Sequence, residues 1–122
     1  MRVLFTSLRT PSHFFPLVPF LDACRRQGHE VAVAAPHDLA DHVAKTGARL
    51  LPFEHPGDER LRPLWDRAMK GEGEVVISEV FAGECAKFAL PGLLATLDAF
   101  RPDVIVRESQ GSGGRTSRSL PE

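Results

Sequence analysis

Of the five histidines in this chain, His13 has the setting best suited to chemistry. It follows the apolar run Val3-Leu4-Phe5 and the polar turn Thr6 to Ser12, and it stands where that turn gives way to an apolar helical spacing. An imidazole has a reference pKa of about 6.5, so it can accept a proton near neutrality. A carboxylate behind it would fix the ring tautomer and stabilise the imidazolium that forms. Glu108 is the candidate partner, because it closes a second apolar run, Asp103-Val104-Ile105-Val106-Arg107. The ordinary alternatives are a surface or helix-capping histidine and a strand-end carboxylate that is merely solvated.

The remaining chemistry-bearing residues give weaker patterns. His29 sits in the tight Gly28-His29-Glu30 sequence, where a turn or packing role is expected, and His37, His42 and His55 read as exposed. None of them pairs at a metal-ligand spacing with a third ligand nearby, so no metal site is expected. Thr6 to His13 contains no glycine, which removes the dinucleotide fingerprint, and Gly114-Arg115-Thr116 lacks the Gly-Lys-Ser/Thr ending of a phosphate loop. Cys24 and Cys85 lie far apart among apolar neighbours and read as buried free thiols in a reducing cytoplasm. Phe14, Phe15, Phe53, Trp65, Met69, Phe81 and Phe88 are candidates to line a pocket for an apolar ligand, although the same stripes also suit a core.

The elements that must position these residues follow from pattern. Val3-Leu4-Phe5 is the continuous apolar run of a parallel strand covered on both faces. Pro16 suits a first helical turn and Pro19 is tolerable there; Leu17, Leu21 and Cys24 continue the helical spacing until Gly28 stops it. Glu30 to Ala35 is a second strand, which makes a βαβ unit. Asp38 is expected to cap a helix through Thr46 with Gly47 closing it, and Ala48 to Phe53 is a third strand. The turn-rich loop Glu54-His55-Pro56-Gly57-Asp58 leads to a helix over Leu61 to Lys70. Glu74 to Phe100 is helical by period, with a kink or break expected at Pro91, and Asp103 to Arg107 is the fourth strand.

Strands alternating with helices predict an α/β fold whose parallel sheet has the order 3-2-1-4. In that order the first and fourth strands are neighbours. His13 and Glu108 then share the crevice at the carboxyl edge where such sheets bind ligands. Residues 1–109 are expected to form one partial domain, and 110–122, rich in Gly, Ser and Arg, a flexible tail.

Composition sets outer bounds. The chain has 122 residues, of which 43% are hydrophobic, enough for a core in one domain or part of one. Fifteen Lys and Arg against sixteen Asp and Glu give a formal charge of -1, which offers no footprint for nucleic acid or an anionic membrane. No secretory signal precedes the first strand, and the apolar stretch from Phe14 to Leu21 is short and interrupted by two prolines, so no membrane span is expected.

Three stretches together carry a family likeness: Ser12-His13-Phe14-Phe15-Pro16-Leu17-Val18-Pro19-Phe20, Gly28-His29-Glu30-Val31 and Arg101-Pro102-Asp103-Val104-Ile105-Val106. The sequence over Met1 to Ser109 resembles the amino-terminal domain of the UDP-glycosyltransferase family, and above all its bacterial members that glycosylate macrolides and other natural products. The resemblance implies an incomplete Rossmann-like amino-terminal domain of a GT-B fold. It makes His13 the catalytic base of an inverting displacement at the anomeric carbon of a nucleotide sugar, with a small hydroxyl-bearing molecule as acceptor. Glu108 takes the place of the carboxylate that often pairs with that histidine, where aspartate is the more familiar residue, and Ser12 stands where glycine is common. No cofactor is implied. The nucleotide-sugar donor would bind a carboxyl-terminal domain that this chain lacks, so the chain is expected to be inactive alone and to have a separate donor-binding half as a possible partner. A non-catalytic auxiliary protein and a flavodoxin-like binding module are the alternatives, the latter resting on Thr6, Ser7, Thr10 and Ser12, in a chain with no tyrosine to stack on a flavin.

Overall fold

The computed structural model describes residues 1–108, apart from the side chains of Val75, Val76 and Ile77; the expected tail, 110–122, lies outside the described residues. Four parallel strands, β1 (Arg2–Thr6), β2 (Glu30–Pro36), β3 (Arg49–Phe53) and β4 (Val104–Arg107), form one sheet in the order β3-β2-β1-β4. That is the order the sequence predicts.

Burial explains why β1 and β2 are apolar without alternation. Val3 and Phe5 join Val31, Val33 and Ala35 in a core beneath the helices that follow β1 and β2, while Leu4, Ala32 and Ala34 pack with Phe100 on the other face. Each face of the central strands is therefore a core face, and a polar residue would be out of place on either. Phe5 stands opposite Val33 on one side and Val106 on the other, so its ring closes the middle of the sheet.

The connection from β1 to β2 is divided by its prolines. Helix α1 (Pro11–Phe14), a 3-10 turn (Phe15–Leu17) and helix α2 (Val18–Arg26) each have a proline at their first or second position. A proline lacks the N–H that a helix start leaves unused, so each segment begins afresh at one. Phe14, Leu17 and Leu21 are buried along one face, and Phe15 and Phe20 are exposed. After β2, Asp38 lies inside a 3-10 turn (His37–Leu39) and makes no capping hydrogen bond; helix α3 (Ala40–Thr46) follows and ends at Gly47, whose φ of 79° is left-handed as a closing glycine requires.

Helix α4 (Asp58–Met69) begins before the predicted Leu61, because Asp58 and Glu59 in its first turn suit the positive end of the helix. A short helix α5 (Gly73–Val75) then opens into π-helical turns (Val76–Cys85), followed by α6 (Ala86–Phe100). Pro91 neither ends nor divides α6. The helix is held flat on β3 just there: a Cβ at Gly92 would lie 2.8 Å from the Phe53 Cβ. The break in regular geometry falls instead in the π-helical turns. By length and composition Ser78–Phe100, with a mean hydropathy of 1.3, passes as a membrane-crossing helix; in the fold Ala89, Thr96 and Phe100 are buried, and Leu90, Leu94 and Leu97 are exposed.

The return to the sheet is pinned by charge. The Arg2 backbone N–H donates to Asp103 Oδ2 at 2.8 Å, the Asp103 N–H donates to the Arg2 carbonyl at 2.8 Å, and Arg2 Nη1 donates to the Phe100 carbonyl at 3.0 Å. These bonds set β4 beside β1.

Candidate active site

The site begins with strand register. Thr6 stands opposite Arg107, so the residues leaving β1 and β4 emerge side by side at the carboxyl edge of the sheet. Beyond Thr6 the chain is fixed by the buried Ser7, whose N–H donates to the Ala34 carbonyl at 3.1 Å and whose Oγ donates to the Leu8 carbonyl at 2.9 Å. The His13 N–H donates to the Thr10 carbonyl at 2.9 Å, which starts α1 and turns the ring back over the sheet edge.

There the His13 Nδ1 lies 3.1 Å from Glu108 Oε2. The Glu108 side chain is 9% exposed and the His13 side chain 28%. Burial raises the Glu108 carboxyl above its ordinary pKa, against the opposing pull of the His13 hydrogen bond, the Leu8 amide and Arg107. With Nδ1–H donating to the carboxylate, the lone pair of the neutral ring stands on Nε2, where a base needs it.

A cavity of about 400 Å³ opens beside this pair and is lined by both of its members. Its walls are largely apolar. Leu61, Trp65, Val80 and Phe81 come from α4 and the π-helical turns, and Ala89 and Leu93 from α6. Trp65 and Phe81 meet edge to face, with ring centres 6.5 Å apart.

Of the seven apolar candidates, Phe53, Trp65 and Phe81 line the cavity. The other four lie elsewhere: Phe14 is buried in the core, Phe15 is exposed with its ring edge-on to His42, Met69 is 88% exposed, and Phe88 lies beneath the Arg60 guanidinium. His55, read from sequence as exposed, is partly buried and lines the cavity, as do Arg9 and Cys85. Arg9 Nη2 reaches Asp58 Oδ1 at 2.7 Å, tying the first loop to the start of α4. His55 and Arg9 had one available signal, a position just beyond the carboxyl end of a parallel strand; Cys85 had none.

No family model matches the chain. Over 129 aligned residues it is 29% identical to L-demethylnoviosyl transferase of Streptomyces niveus, a match that takes in 99% of this chain and 33% of that protein. The fold superposes on the spinosyn forosaminyltransferase SpnP with a TM-score of 0.64 at 32% identity, covering 88% of this chain and 25% of the other. It also superposes on the spinosyn rhamnosyltransferase SpnG complexed with spinosyn aglycone, with a TM-score of 0.57, 27% identity and coverage of 88% and 28%. The curated relatives are antibiotic glycosyltransferases and the structural neighbours are glycosyltransferases of the GT-B fold, and the chain matches part of each. It spans a quarter to a third of the length of these proteins, and within that span it holds the βαβαβ arrangement that brings His13 to the sheet edge.

Proposed function

We propose that this chain is the acceptor-binding part of an inverting glycosyltransferase, with His13 as the general base. The acceptor, a small hydroxyl-bearing natural product, occupies the apolar cavity. As its oxygen attacks the anomeric carbon of a nucleotide sugar, the O–H proton passes to His13 Nε2, the new glycosidic C–O bond forms, and the bond to the nucleoside diphosphate breaks. Glu108 keeps the proton of the resting ring on Nδ1 and stabilises the imidazolium as it forms. One observation carries this reading: the 3.1 Å contact between His13 Nδ1 and Glu108 Oε2 at the rim of the cavity.

On this reading the donor sugar binds a region outside the residues matched here. These residues supply the acceptor side, and transfer also requires a donor-binding region. Its place of work is the cytoplasm.

The test is a chimaera in which this chain replaces the matching segment of L-demethylnoviosyl transferase, with transfer followed from a nucleotide sugar. Turnover is expected, and His13→Ala should lower kcat by about 10²-fold or more. Full turnover by the His13→Ala chimaera would refute the assignment of the base.

A further inference from the structure

The cavity holds a second imidazole whose protonation state the fold also fixes. His13 reaches the cavity from α1, which follows β1, and His55 from the loop after β3, so the two rings follow strands on either side of β2. His55 Nδ1 accepts a hydrogen bond from the Gly57 backbone N–H at 3.0 Å. A backbone amide can only donate, so Nδ1 keeps its lone pair and the single proton of the neutral ring stands on Nε2. Charging the ring would break that bond. Burial, and then the positive charge of Arg9, also disfavour the cation and hold the group below its ordinary pKa, against the opposing pulls of Asp38 and Asp58.

His55 thus has the opposite tautomeric duty to His13. In His13 the proton is committed to Glu108 and Nε2 is basic; in His55 the lone pair is committed to Gly57 and Nε2 carries the proton. Among the described residues, no protein group accepts that proton. A donor without a partner in a largely apolar cavity loses its water when ligand enters, and it then needs an acceptor from the ligand itself.

We infer that His55 is a specificity-determining residue whose Nε2–H binds an oxygen on the body of the acceptor, separate from the hydroxyl that His13 deprotonates. The inference rests on the cavity being the acceptor site. It narrows the substrate class to apolar skeletons that carry, besides the reacting hydroxyl, a carbonyl or ether oxygen able to accept a hydrogen bond.

The experiment compares two probes of one skeleton, a hydroxydecalone and the corresponding decalol, which differ only in the ketone oxygen. Binding to the chain is followed through the histidine ring nitrogen resonances. The free chain should show His55 as the Nε2–H tautomer, the ketone should shift that resonance, and the hydroxydecalone should bind about fivefold tighter than the decalol. His55→Phe should erase the preference. His55→Gln, whose amide still donates, should retain most of it, and unchanged backbone spectra would show both variants folded. Equal binding of the two probes by the unaltered chain, or an Nδ1–H tautomer, would overturn this inference while leaving the acceptor site standing. Failure of both probes to bind would overturn the acceptor site and this inference with it.

Discussion

His13 and Glu108 are separated by 95 positions in the chain, yet their side chains meet at 3.1 Å, because Thr6 and Arg107 are register partners in adjacent parallel strands. A contact of this kind is set by the sheet and cannot be made by either loop alone. It also carries a tension. The carboxylate beside the His13 ring is itself largely removed from water, and its burial raises its pKa.

Glu108→Gln exposes that tension. The folded carboxyl binds its proton more readily than the unfolded one, so the stability linked to it is present at low pH and is lost as pH rises from the ordinary carboxylate range, near pH 4, through the folded value. Glutamine keeps the shape without the buried charge. Thermal melts should find the variant at least as stable as the parent at pH 7, with the difference shrinking as the pH is lowered. In the chimaera the same substitution should cut kcat by about tenfold or more, since the imidazolium loses its counter-charge.

His55 should leave its own mark on stability. Its folded pKa lies below the unfolded value of about 6.5, so the unfolded chain takes up a proton that the fold resists. Stability should therefore fall as pH drops below about 6.5, in addition to any change from other groups. Urea titrations across that range should show a shallower pH dependence for His55→Gln.

Gly47 is the position where a small change should be felt in the backbone. Its φ of 79° closes α3, and a Cβ there would also press to within 2.7 Å of Arg25 Nη1, in a guanidinium that donates to the Thr46 carbonyl. The side-chain tip can move aside, whereas the left-handed conformation remains strained for alanine. Gly47→Ala should cost about 1–2 kcal/mol in urea unfolding, without altering ligand binding at the distant sheet edge.

Cys85 reports on the cavity. Burial pushes its thiol pKa up, outweighing the opposing effect of Arg9, so little reactive thiolate is present at neutral pH. Alkylation by iodoacetamide, located by peptide mass, should be slower at Cys85 than at a cysteine in an unfolded peptide. A ligand filling the cavity should slow it further, since Cys85 is part of the lining.

The local alphabet of this chain specified its layout. Unbroken apolar runs such as Val3-Leu4-Phe5 marked strands covered on both faces, glycines 28 and 47 marked where helices had to stop, and the alternation of strand and helix led to the sheet order that is observed. Those features are legible because they depend on the backbone preferences and burial of neighbours in sequence. Tertiary structure decided the rest. Pro91 stays helical because Gly92 is seated on Phe53, Phe14 turns into the core while Phe53 turns to the cavity, and His55 gains its tautomer and its place in the cavity wall only once β3 and α4 enclose that space. Side chains from distant segments become neighbours only when register and helix docking are complete, so which of them line a cavity, and in which protonation state, is a property of the assembled fold.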